Sequence, residues 1–172
     1  MALTLHLLRH AKSSWKEPGQ EDHDRPLSGR GRRAADAIGA FLAREGPVPD
    51  RVLCSSAVRT LETWERMRPS LENEPSLSIE PALYLASAAR MLEVLQEQDE
   101  SASCVLLVGH NPGTEDLARA LAGCGDEDAW HRIHAKYPTA GLTTLRFDAT
   151  VWQEVVPAAG KLVQFVVPRD LP

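Results

Sequence analysis

Four short apolar runs alternate with segments of helical periodicity over the first 123 residues, and that alternation leaves few folds open. Leu3 to Leu8, Val52 to Cys54, Leu77 to Ile79 and Cys104 to Val108 are each too short for a helix, and the first, second and fourth stop abruptly at polar residues. This is the pattern of buried strands. Between them, Ser28 reads as the cap of a helix through Ala34, Ala37, Ile38, Phe41 and Leu42 that stops near Gly46-Pro47. Ser55 and Ser56 read as caps of a second helix through Val58, Leu61, Trp64 and Met67, and residues 86–96 as a third with Met91, Leu92 and Leu95 on one face. Asn111-Pro112 reads as the start of a fourth, with Pro112 at the first helical position, Glu115 and Asp116 in the first turn and a stop at Gly123.

Strand–helix alternation predicts right-handed crossovers and hence an α/β three-layer sandwich, a mixed but mostly parallel central sheet flanked by helices. Residues 125–140 read as irregular and charged. Strands follow at 142–147 and 162–167, and 151–156 is a candidate third. With 172 residues, 43% hydrophobic and 25% charged, the chain is expected to form one domain, 1–172, around a folded core.

A formal charge of −5 gives no global basic field for nucleic acid or an anionic membrane, so any anion site must be local. Three widely spaced cysteines, Cys54, Cys104 and Cys124, form no CxxC pair, which fits a reducing cytoplasm better than a disulfide framework or structural zinc. No apolar run is long enough for a signal peptide or a membrane span.

Ligands of such sheets sit at the carboxyl ends of the strands. There the first run ends in Arg9-His10, the second in Cys54-Ser55-Ser56 with Arg59 one turn on, and the fourth in Gly109-His110-Asn111. Two arginines and two histidines gathered from distant parts of an acidic chain make a concentrated positive pocket, suited to a phosphoryl group. Helix N-termini near residues 56 and 112 would add N–H donors.

These residues carry a resemblance. Leu7-Leu8-Arg9-His10-Ala11 is similar to the Arg-His-Gly motif of the histidine phosphatase superfamily, which includes phosphoglycerate mutases and acid phosphatases. Asp24-Arg25-Pro26-Leu27-Ser28 with Gly31, Cys54-Ser55-Ser56-Ala57-Val58-Arg59 with Thr63, and Val108-Gly109-His110-Asn111-Pro112 resemble its later motifs in order. The short chain and the Gly-His-Asn-Pro form look most like the small phosphohistidine phosphatases typified by SixA. The resemblance implies a phosphatase in which His10 takes the phosphoryl group, Arg9 and Arg59 grip its oxygens and His110 adds a hydrogen bond or charge, with no cofactor and no metal. The implied substrate is a phosphorylated protein carrying phosphohistidine. Small phosphomonoesters or phosphoserine and phosphothreonine are the alternatives.

Three departures from the family pattern matter. Ala11 stands for the motif glycine, which is harmless only at negative φ. Lys12 and Lys16 stand where many members carry acidic or amide residues. Leu85 falls about where mutase-like members place a general-acid glutamate, with Glu80 five residues earlier. An alkyl phosphate needs a proton donor for its leaving alkoxide, whereas a phosphoramidate nitrogen takes its proton from solvent, so the apolar position favours phosphohistidine.

Other readings stand beside this one. Cys54 and Arg59 have the spacing of a cysteine-dependent phosphatase, but no glycine lies between them to shape the loop. A non-catalytic phosphate-binding adaptor would use the same pocket without turnover. His6 is expected in the strand core, and His23, His131 and His134 in loops or on the surface. Trp15, Trp64, Trp130 and Trp152 read as packing residues, Trp15 alone being close enough to line a pocket.

Overall fold

The computed structural model describes residues 2–172, so the start of the chain at residue 1 lies outside the described residues. Seven strands form one sheet in the order β3-β2-β4-β1-β6-β7-β5. They are β1 Leu3–Arg9, β2 Arg51–Ser55, β3 Ser76–Glu80, β4 Cys104–Gly109, β5 Ala122–Gly125, β6 Leu142–Phe147 and β7 Gly160–Val166. β3, β2, β4 and β1 run parallel, β6 is antiparallel to both β1 and β7, and β5 joins β7 in parallel. The sheet is mixed and mostly parallel, as the strand–helix alternation requires.

Five helices cover it: α1 Gly29–Glu45, α2 Val58–Met67, α3 Ala88–Gln96, α4 Gly113–Leu121 and α5 Glu127–Ala135. The central strand β4 is apolar from Cys104 to Val108 because both of its faces are buried. In β4, Leu106 and Val108 pack with Ile38 and Leu42 of α1 and Trp64 and Met67 of α2. Val105 and Leu107 pack on the opposite face with Met91 and Leu95 of α3, Leu117 and Leu121 of α4 and Ile133 of α5. His6, on a central strand and wholly buried, bonds Thr144 Oγ1 (2.9 Å) and the Pro47 carbonyl (2.8 Å).

Several local expectations are corrected. Residues 125–140 are not irregular: Asp126 caps α5 by accepting from Ala129 N, and Glu127 and Asp128 complement the helix dipole. Residues 151–156 form no strand but a 3-10 turn over Trp152–Glu154, whose Trp152 indole donates to the Ala102 carbonyl. α4 starts at Gly113 with Pro112 as its cap and ends at Leu121, because Ala122 turns into β5. Ser55 and Ser56 do not cap α2, whose cap residue is Ala57. In α1 the buried positions are Gly31, Ala35, Ile38, Gly39 and Leu42, with Ala34 and Phe41 partly buried against the same core, so of the expected positions Ala37 falls off the stripe. Val94 joins Met91 and Leu95 as the fully buried face of α3, with Leu92 partly buried beside them.

Candidate active site

The register that pairs Arg9 with Gly109 and Cys54 with Val108 brings the carboxyl ends of β1, β2 and β4 to one edge. Arg9, His10, Arg59 and His110 line one cleft of about 270 Å³ there. All four sequence-selected residues therefore come together.

His10 is held by both ring nitrogens. Its Nδ1 lies 2.7 Å from the Ala11 carbonyl, which can only accept, so Nδ1 carries the proton. Its Nε2 lies 3.3 Å from the Arg59 Nε–H and accepts from it. The free lone pair thus sits on Nε2. Burial, and then the charges of Arg59, Arg9 and Arg25, lower the His10 pKa to about 4 against the opposing Ala11 hydrogen bond. The imidazole is neutral at pH 7, and desolvation contributes more to this than the cationic neighbours do.

Arg59 leaves the first turn of α2 almost fully buried, and two anchors fix its plane. One terminal nitrogen donates to the Asp22 carbonyl (2.7 Å), and the other to the Asp22 carboxylate (3.0 Å). Tyr84 donates to the same carboxylate oxygen, while Arg25 donates to its partner oxygen. The Tyr84 hydroxyl foremost, followed by Arg59, holds the Asp22 pKa at about 2, so this carboxyl stays ionised and has no proton to give.

His110 Nε2 lies 2.8 Å from the Ser55 hydroxyl, which also accepts from Ala57 N. The other ring nitrogen of His110, Nδ1, is buried without a partner, as is Arg9 Nε. Burial first, then His10 and Arg59, lower the His110 pKa to about 3, so it offers a hydrogen bond rather than a charge. Arg9 is fixed by donating from one terminal nitrogen to the Tyr137 carbonyl (2.8 Å).

The departures resolve in physical terms. Positive φ among described non-glycine residues is confined to Leu85, Ala140 and Ala158, so Ala11 sits without backbone strain, its N–H donating to Thr63 Oγ1. Leu85, at φ 50° and exposed, lies on the cleft wall, while Glu80 does not line the cleft and accepts from Ser78. Trp15 is 76% exposed at the same mouth, with the Arg25 guanidinium 3.5 Å above its ring. Cys54 is buried against the α1–α2 layer, away from the cleft, and burial pushes its thiol up to about 12. A thiolate nucleophile there is opposed by both position and charge. His131 and His134 are exposed, and no group of three or more His, Cys, Asp or Glu among the described residues is placed to hold a metal ion. Asp22 and Tyr84 escaped sequence reasoning. Asp22 lies two residues before the motif aspartate, and Tyr84 reaches it across 62 positions.

Comparison with known proteins bears on family and fold. A sequence model described as histidine phosphatase superfamily (branch 1) matches residues 5–84. An uncharacterized protein of Mycobacterium tuberculosis is 38% identical over 164 residues, 94% of this chain and 100% of that one. Among solved structures, proteins assigned as the phosphohistidine phosphatase SixA superpose from two bacteria. That of Nakamurella multipartitia has TM-score 0.86 and 27% identity over 98% of this chain and 97% of its own. That of Agrobacterium tumefaciens has TM-score 0.81 and 30% identity over 96% and 98%.

Proposed function

This chain belongs to the histidine phosphatase superfamily, and from that premise we propose that it is a phosphohistidine phosphatase acting on a phosphorylated protein through a phosphorylated His10. One observation carries the reading: the His10 Nε2 lone pair is free of a proton and faces a cluster of donors, one of which, Arg59 Nε–H, already points at it. When a phosphoryl group enters, the Arg59 Nε–H redirects its hydrogen bond from His10 Nε2 to a phosphoryl oxygen, and Nε2 attacks phosphorus in line. The leaving nitrogen takes a proton from solvent, and its bond to phosphorus breaks. Arg9, Arg59 and a hydrogen bond from His110 share the charge of the transition state, so the chemistry needs no metal to hold it. Water then attacks the phosphoenzyme and releases phosphate.

The substrate class follows from what stands at the leaving-group side. Leu85 on the wall cannot donate a proton, and Asp22 is held ionised at about 2. That arrangement suits a phosphoramidate, whose leaving imidazole nitrogen is basic enough to take a proton from solvent before the P–N bond breaks, and poorly suits an alkyl phosphate, whose bridging oxygen is too weakly basic for that and would leave as alkoxide.

The test is to quench the enzyme during turnover of a radiolabelled phosphohistidine peptide. An acid-labile, alkali-stable label on His10, with turnover lost in His10→Ala and kept in Cys54→Ser, is the expected result. An acid-stable label, or full turnover in His10→Ala, overturns the reading.

A further inference from the structure

A second cleft, of about 270 Å³, adjoins the first and shares Lys12 and Thr139 with it. Lys12 is two residues beyond His10, so the shared wall begins within about 7 Å of the nucleophile's backbone. Five cations line this second cleft, Lys12, Arg30, Arg132, Lys136 and Arg169, and no carboxylate does. Only Arg132 is paired, with Asp170. Lys12, Arg30, Lys136 and Arg169 are exposed and form no ion pair among the described residues.

Four unpaired cations around one trough are unexpected on a chain of net charge −5. Arg30 is the most telling. It sits in the first turn of α1, where the helix dipole disfavours a cation and where no acidic residue accompanies it. Local helix energetics therefore give no reason for it, while an anion in the trough does. The floor is different in character: Ala34, Pro138, Phe165 and Val167 offer apolar contact between the charged walls.

We propose that this trough binds an acidic segment of the phosphoprotein next to the phosphohistidine. The inference rests on the phosphatase reading above and specifies its partner. An imidazole-linked phosphoryl group reaching His10 leaves the substrate backbone at the mouth of the first cleft, beside Lys12. A flanking stretch rich in aspartate and glutamate then lies along Arg30, Lys136 and Arg169, with an apolar side chain on the Phe165 floor. The open, cation-rimmed shape suits a polypeptide laid across it, and charge complementarity fixes its direction and raises its association rate.

The experiment compares three substrates: a phosphohistidine peptide with Asp and Glu flanks, the same peptide with Ala and Gln flanks, and free phosphoramidate. The wild type is expected to prefer the acidic peptide by about 10-fold or more in kcat/KM, through KM, with the preference falling as salt rises. The triple variant Arg30→Glu, Lys136→Glu, Arg169→Glu is expected to lose that preference and keep its phosphoramidate turnover, which also reports that it is folded. Equal kcat/KM for the two peptides, or a preference that survives in the variant, overturns the inference while phosphoramidate turnover leaves the phosphatase reading intact. Wild-type enzyme inert toward all three substrates overturns both.

Discussion

Arg59 has to be rigid before substrate arrives and free to donate once it has, and Asp22 makes the two compatible. The Asp22 carbonyl and carboxylate take one N–H from each terminal nitrogen, which leaves Nε–H and the remaining terminal protons for the cleft. A lysine can hold neither the planar pair of bonds nor the reach to Nε2. Arg59→Lys is expected to lower kcat/KM for a phosphohistidine peptide by about 10² to 10³, and Asp22→Asn, which loosens the guanidinium without removing it, by about 10-fold. Steady-state kinetics check both, and an Asp22→Asn loss as large as that of Arg59→Lys would mean that the carboxylate itself touches substrate. At this scale the sequence was informative where chemistry sits in a short motif, as in Arg9-His10 or Gly109-His110. It was silent where a role arises by folding, since nothing near Tyr84 signals a bond to Asp22 62 positions away.

The turn into α1 shows how an element places the site. Ser28 caps the helix by accepting from Gly31 N, and also donates to the Lys12 carbonyl, pinning the loop after His10 to the helix start. Gly31 makes that approach feasible, because a Cβ there would be driven into the Lys12 carbonyl. Its φ is not positive, so the requirement is space rather than conformation. Gly31→Ala is accordingly expected to destabilise the protein by about 2 kcal/mol despite the better helix propensity of alanine. It should also raise KM by displacing Lys12 and Ser13. Denaturant titration and kinetics measure the two effects, and a neutral or stabilised variant would contradict the close packing. Ser55, Ser56 and Pro112 do not take the positions expected of them, but the start of α1 was legible from its Ser28 cap. α5 was not, although Asp126 and the acidic first turn signal it, because its few buried positions, Ala129 and Ile133, make a faint stripe. The 3-10 turn at Trp152 was misread as strand because its apolar residues, Val151, Trp152, Val155 and Val156, mimic an interrupted β run.

Across the molecule, the three buried histidines tie stability to pH in a way no single element reveals. Burial lowers His6 from 6.5 to about 4, His10 to about 4 and His110 to about 3. Each remains neutral in the fold yet takes up a proton at its ordinary pKa when the chain unfolds. Between pH 6.5 and about 4 the unfolded state binds more protons, so stability is complete above this window and is lost as pH falls through it. His6 separates this effect from catalysis, since it lies in the sheet interior with Thr144 and the Pro47 carbonyl as its partners. Its contribution to the loss between pH 7 and pH 5 is about 2 kcal/mol, from a shift of roughly two and a half units. Replacing it, as in His6→Gln, is expected to lower stability at pH 7 through lost packing and to make the pH dependence shallower by that amount. The wild type keeps the steeper slope that three histidines together impose. Denaturant midpoints at pH 7, 6 and 5 for both proteins decide it: parallel curves would show that His6 gains no proton on unfolding, and hence that its burial does not hold it neutral.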